Sequence, residues 1–262
     1  MHLTQPSPEI LSFFSQSHLA FMVEAMLAGN SPALAWRDAE TALIWDRAYC
    51  IYLGGNLENP RLREVITSAL LPLAQQIRAF KISLTHDDQA AFIPKLFPEF
   101  GSDPYPHRLF KLDPAAVTTT PIVPPDGFHI RLIDADLLAD AERPGHADLA
   151  EEIELCWVAR DRFLEHGFGV CLLDDTGAIV CRCTAEYVSS QTCGIGIATH
   201  EAVMGRGLAT TAAQVFVEKA RREGWTVYWD SRTNNLPSIR VAEKVGFKAV
   251  MDYTPVIIYR EA

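Results

Sequence analysis

From Ile195 to Gly246 the chain keeps a fixed order of strand, glycine loop, helix, strand and asparagine-capped helix, and that order restricts its fold more than any other stretch. Ile195, Ile197 and Ala198 predict a buried strand. Gly205-Arg206-Gly207 then opens a helix from Leu208 to about Arg222, with Leu208, Ala212, Val215, Phe216 and Ala220 on one face. Arg221 and Arg222 complement the helix C-terminus and Gly224 ends it. A second strand, Trp225–Trp229, leads to Asn234-Asn235, which offers a cap to a helix carrying Ile239, Val241, Ala242 and Val245. Small residues at 205 and 207 let a ligand approach the main chain, where the first turn has N–H groups without helical partners. Backbone donors at a helix N-terminus suit a phosphate or pyrophosphate. The pattern does not by itself separate one pyrophosphate ligand from another.

Upstream, helical spacing covers Pro8 to Ala28, and three short apolar runs (Ala33–Trp36, Ala42–Trp45, Tyr49–Leu53) predict an antiparallel meander. Asn59-Pro60 caps an expected long helix to about Ala79; Phe80–Leu84 and His107–Leu112 read as strands around a helix from Asp87 to Phe97. Residues 113 to 127 lose every regular period through Pro114, Pro121, Pro124, Pro125 and Gly127. The expected boundary lies there, with domains over 1–120 and 121–262. The second half continues as strand Phe128–Ile133, helices over 135–141, 146–159 and 160–166, and a hairpin with Asp174-Asp175-Thr176-Gly177 at its turn. After the Asn235 helix, Phe247–Met251 and Val256–Tyr259 are expected to complete this domain's sheet.

A formal net charge of −10 argues against nucleic-acid binding, which needs clustered Lys and Arg. No run of about 18 apolar residues predicts a membrane span, and no leader pattern is present, so a soluble cytoplasmic chain is expected. Six cysteines in a chain of 262 residues without a secretory signal suit a reduced compartment. Cys181 and Cys183 share one strand face near Cys193, but no fourth ligand has zinc spacing, so buried thiols and no metal are expected.

Ile195–Thr211, followed by Trp229-Asp-Ser-Arg-Thr-Asn-Asn235-Leu-Pro-Ser238 and on to Phe247, resembles the acetyl-CoA-binding core of the GCN5-related N-acetyltransferases. Phe110-Lys-Leu-Asp-Pro114, Pro125-Asp-Gly-Phe128 and Phe163-Leu-Glu-His-Gly-Phe-Gly169 narrow the resemblance to the branch that includes the zwittermicin A self-resistance acetyltransferase. The resemblance implies an α/β (α+β) fold: a C-terminal mixed, mostly antiparallel sheet with splayed central strands, beside an N-terminal α/β domain. It implies that Ile197, Ala198 and Thr199 pair with the pantetheine arm. The amides of Gly205, Arg206, Gly207, Leu208 and Ala209 would cradle the pyrophosphate, with Asn235 and Ser238 at the thiol end. The chain departs from the family where Met204 replaces the loop's usual Arg or Gln. Ala242 stands where many members carry a proton-donating Tyr, and Gly194 where Glu is common.

The implied function is transfer of an acetyl group from acetyl-CoA to the amine of a small molecule, attacking directly in a ternary complex without a metal. Glu186, on the strand beside the cofactor strand, is the candidate base. His200, Glu201, Tyr187 and Tyr228 are titratable neighbours expected to serve structure. A non-catalytic acyl-CoA sensor and a protein or peptide N-acetyltransferase are the alternatives. Acceptor identity, the N-terminal domain's role and oligomeric state are not written in the sequence.

Overall fold

In the computed structural model, which describes residues 2–117 and 121–260, the predicted meander is an antiparallel run of three strands. β1 (Leu34–Arg37), β2 (Thr41–Trp45) and β3 (Cys50–Gly55) pair in sequence. Side chains set the turns. Asp38 Oδ1 accepts from the N–H groups of Glu40 and Thr41, and Asp46 Oδ1 from those of Ala48 and Cys50. β3 then pairs in parallel with β4 (Ala79–Leu84). β5 (Phe100–Pro104) and the chain's last strand, β13 (Val256–Arg260), extend the sheet in the order β1-β2-β3-β4-β13-β5.

β13 corrects one expectation. It does not complete the second sheet: Ile258 lies fully buried beside Phe80 and Ile82 in the first unit's core, between β4 and β5. The chain accordingly divides into Met1–His107 with Asp252–Ala262, and Arg108–Met251. The boundary expected between 120 and 121 falls at residues 118–120, outside the described residues.

Two expected helices are shorter than their apolar spacing suggests. The N-terminal one splits into a 3₁₀ turn, Pro8–Phe13, and α1 (Ala20–Leu27). Between them Ser17 Oγ donates to the Phe14 carbonyl and accepts from Leu19 N–H, an alternative to helical pairing. The helix capped by Asn59 runs as α2 (Pro60–Val65), a π turn over Ile66–Leu70 and α3 (Leu71–Leu73). Pro72 explains the break, because its ring removes an N–H and crowds the preceding turn. The segment expected as a helix from Asp87 is a 3₁₀ turn to Phe92 followed by α4 (Ile93–Leu96).

Burial holds the Asp46 carboxyl up at about 6, against partial relief from the Ala48 and Cys50 N–H groups and from Lys81. A carboxyl whose pKa is higher folded than unfolded binds its proton more tightly in the native state. Its stabilising effect is therefore full at low pH and falls as pH rises from about 4 to about 6. Asp46→Asn keeps an acceptor oxygen for both N–H groups without a buried charge. Urea denaturation should find it about 2 kcal/mol more stable than the parent at pH 7.5, the gap closing toward pH 4. A gap independent of pH would refute this assignment.

The second unit is a seven-stranded sheet ordered β12-β6-β11-β10-β9-β8-β7. Its strands are β6 (His107–Leu112), β7 (Phe128–Leu132), β8 (Gly169–Asp174), β9 (Ile179–Glu186), β10 (Thr192–Thr199), β11 (Thr226–Arg232) and β12 (Phe247–Tyr253). β7 to β10 pair antiparallel in succession, and β10 and β11 are parallel. α5 (Ala135–Ala139), α6 (His146–Cys156) and α7 (Arg160–His166) separate β7 from β8. α8 (Leu208–Arg222) joins the two parallel strands, and α9 (Leu236–Lys244) follows β11. α8 packs its apolar stripe, including Leu208, Ala212, Phe216 and Ala220, on β8 to β11, while α6 lies against β9. Among the described residues no helix is long and apolar enough to cross a membrane.

Candidate functional site

The site begins where two strands separate. β10 and β11 are in parallel register at Thr192↔Thr226, Cys193↔Val227 and Gly194↔Tyr228. Both continue, β10 to Thr199 and β11 to Arg232, without pairing further with each other. A wedge-shaped gap results, with one edge of β10's backbone unpaired from Ile195 onward. An open cleft of about 770 Å³ occupies this region, within the range of small-molecule sites.

Its walls include Ile197, Ala198 and Thr199 from β10, Gly205 and Gly207 from the loop, and Leu208 and Ala209 from α8. Asn235 and Ser238 complete it from α9. Of the ten residues expected at a cofactor, nine thus line one cleft. The tenth, Arg206, turns its guanidinium over the Phe128 ring, 4.5 Å from the centroid, leaving its main chain in the loop.

Gly207 caps α8 with φ +87° and no side-chain cap, and Gly205 has φ +78°. These backbone angles favour glycine, and nothing lies within 4 Å of where either Cβ would stand. The first helical bond is Thr211 N–H to the Gly207 carbonyl, so the amides of Leu208, Ala209 and Thr210 have no helical acceptor. Arg240 and Lys244, one turn apart on α9, add cations to the same cleft. Sequence reading passed over these two; their i,i+4 spacing beside the Asn235 cap was the available signal.

Asn235 Oδ1 accepts from Ser238 N–H at 3.3 Å, and the Trp229 indole donates to Ser238 Oγ at 2.9 Å. With Oγ already accepting from the indole, the Ser238 hydroxyl proton can be offered into the cleft. Met204 is 63% exposed and lies in the cleft lining. Ala242 is fully buried. His200 Nδ1 accepts from Ala202 N–H and caps the short 3₁₀ turn Glu201–Val203, a structural role for His200.

Glu186 is not part of the cleft lining; it ends β9 opposite Gly194, the last residue of β10 to pair with β11. Its carboxylate occupies the space over Gly196: a Cβ there would meet Glu186 Oε1 at 1.7 Å and Glu152 Oε1 at 3.0 Å. The following residue, Tyr187, has φ +47°, a left-handed turn that is costly for a non-glycine residue. Glu152, on α6, is paired with Arg182 at 3.3 Å.

The strand cysteines pack rather than react. Burial raises the Cys171 thiol to about 12 and Cys181 to about 11, and pushes Cys183 and Cys193 further up. Cys156, at the end of α6, is only half-buried. Brief iodoacetamide treatment of the native protein at pH 8 should therefore modify Cys156 ahead of these four, as read by peptide mass spectrometry. Equal labelling of Cys183 would contradict the packing.

A family model described as GNAT acetyltransferase matches residues 22–256. The chain belongs to the GNAT acetyltransferase family. Over 130 residues, 50% of the chain, it is 30% identical to the uncharacterized N-acetyltransferase YdfB of Bacillus subtilis (strain 168). That match spans 48% of YdfB, about half of the relative's length. A GCN5-related N-acetyltransferase-like protein from Streptococcus suis 89/1591 superposes with a TM-score of 0.68 at 18% identity, covering 95% of this chain and 98% of that one. A GCN5-related N-acetyltransferase from Kribbella flavida gives 0.60 at 12%, covering 94% and 97%. The tandem GNAT protein from the clavulanic acid biosynthesis pathway gives 0.57 at 14%, covering 97% and 94%. At these identities the structural likenesses establish the GNAT fold alone.

Proposed function

We propose that this GNAT protein is an acetyl-CoA-dependent N-acetyltransferase acting on the amine of a small molecule in the cytoplasm, within the branch of the zwittermicin A self-resistance acetyltransferase. The observation that carries the reading is the cleft at the parting of β10 and β11, with free helix N–H groups at one end and Ser238 within it. The unpaired edge of Ile197–Thr199 offers N–H and C=O groups to the amides of a pantetheine arm. The 208–210 amides, with Arg240 and Lys244, offer donors and positive charge to phosphates.

The amine nitrogen attacks the thioester carbonyl carbon, and the carbon–sulfur bond breaks as the amide forms. Glu186 takes the amine's proton, directly or through one water. Ser238 provides a proton toward the departing thiolate, since the fully buried Ala242 carries no donor. Ser238→Ala should lower kcat about tenfold while leaving the dissociation constant for acetyl-CoA within twofold.

The test is a mass-spectrometric screen for acetylated products over a panel of small amines and peptides, with acetyl-CoA binding measured alongside. Acetylated small amines support the reading, and acetylated peptides alone would move the acceptor to proteins. Tight binding without acceptor-dependent thiol release would make the protein a sensor, a reading favoured by the absence of a donor at Ala242.

A further inference from the structure

On the α6 side of the sheet, Glu152, Cys156 and Glu186 each bring one potential ligand atom to a common point, all within 4.8 Å of one another. Glu152 and Cys156 are four residues apart on α6, so they project from the same helix face, and Glu186 comes from β9. Gly196 makes the approach possible by leaving open the space where a Cβ would overlap the Glu186 carboxylate and press closely on that of Glu152.

A second observation comes from Thr184. It is 2% exposed, and its Oγ1 has no hydrogen-bond partner among the described residues. Thr184 lies two residues before Glu186 on β9, so it shares that side chain's face, and it stands directly opposite Gly196. Its side chain therefore lies on the sheet face over which the carboxylates converge. A buried hydroxyl left unpaired costs about 1–3 kcal/mol, which a ligand there would offset.

We infer that Glu152, Cys156 and Glu186 form a site for a borderline-soft divalent cation such as zinc, with Thr184 beneath it. A thiolate with two carboxylates suits zinc and disfavours magnesium, which requires oxygen ligands in an octahedron. Tetrahedral bonds of about 2.0–2.3 Å place zinc's ligand atoms roughly 3.3–3.7 Å apart, so side-chain rotation of about 1 Å closes the observed cluster. Binding releases the Cys156 proton to solvent and leaves a coordination position open for water. On the proposed acetyl-transfer reading, an occupied site also takes Glu186 away from the acceptor's proton, so zinc inhibits.

The experiment uses the full chain, freed of metal by a chelator and reduced. Zinc is titrated against a chromogenic chelator, and cobalt is followed by its thiolate charge-transfer absorption. One equivalent should bind with micromolar or tighter affinity, and the cobalt spectrum should carry the thiolate band. Cys156→Ser should remove that band, and both Cys156→Ser and Glu152→Gln should weaken zinc binding at least tenfold with unchanged circular dichroism. Acetyl-CoA binding, measured in parallel, should be unaffected by zinc. Zinc binding that is equal in Cys156→Ser, or no stoichiometric binding at all, overturns the site. Protection of Cys156 from alkylation by a small primary amine and not by zinc would overturn it too, in favour of an ammonium site. Because metal binding is read without turnover, its failure leaves the acetyl-transfer reading standing, and the reverse holds as well.

Discussion

Glu substituted for both Gly205 and Gly207 should lower affinity for acetyl-CoA by at least a hundredfold, measured by calorimetry, with the second unit still folded. Two effects act together. Each glycine has a left-handed φ, and an L-residue there costs about 1–2 kcal/mol. That strain is shared by the Gly205→Ala, Gly207→Ala pair, which serves as the control and should weaken binding about tenfold or less. The added effect of Glu is electrostatic. A carboxylate beside the 208–210 amides competes for the donors that would hold the pyrophosphate and repels the phosphates themselves. Steric damage to the protein is small, because both Cβ positions face open space. Equal losses for Ala and Glu would mean that backbone strain alone is responsible, and unchanged binding would remove the loop from the site. The difference should narrow in high salt, as exposed charge effects do.

How much of this was legible beforehand depends on whether the information was local. The loop and its helix were readable because each residue signals its own neighbourhood: Gly205 and Gly207 permit the turn, Leu208 to Arg222 carry a 3.6-residue stripe, and Asn235 caps the next helix. α8 runs over the residues its stripe predicts. Interruptions were harder to see. Ser17 and Pro72 break helices whose apolar spacing continues through them. β5 was missed because Gly101-Ser102-Asp103-Pro104 has little strand propensity; its five-residue register with β13, some 150 residues later, imposes the strand. β13 itself reads as a strand, but an apolar alternation does not say which sheet will take it.

The site divides in the same way. Its backbone donors and cleft lining follow from local pattern. Glu186 was named from its strand position, but Gly196 was not recognised as the residue that gives its carboxylate room, a relation that exists only across the β9–β10 register. Glu152, Cys156 and Thr184 were invisible for that reason too. Each is unremarkable in its own segment and gains meaning only when α6 is laid on β9.

Gly196→Ala should then imitate loss of the candidate base without touching that residue. The new methyl would stand 1.7 Å from Glu186 Oε1 and 2.6 Å from its Cδ, so the flexible carboxylate, rather than the backbone, must move. A displacement of an ångström or more takes a general base out of hydrogen-bonding reach of the proton it accepts. With an amine found in the acceptor screen, Gly196→Ala and Glu186→Gln should each lower kcat by about 10²–10³, within the range for removing a general base. Neither residue lines the cleft between β10 and β11, so the dissociation constant for acetyl-CoA should stay within twofold of the parent. The double variant should be no slower than the worse single one, because the methyl acts only by displacing a carboxylate that Gln has already neutralised. Both singles should also lose the acid limb that a carboxylate base gives to the pH profile of kcat/KM. If Gly196→Ala lost activity while keeping that limb, the proton would be leaving by another route and Glu186 would be a structural residue. If both variants retained full kcat, no base would be required on β9 at all.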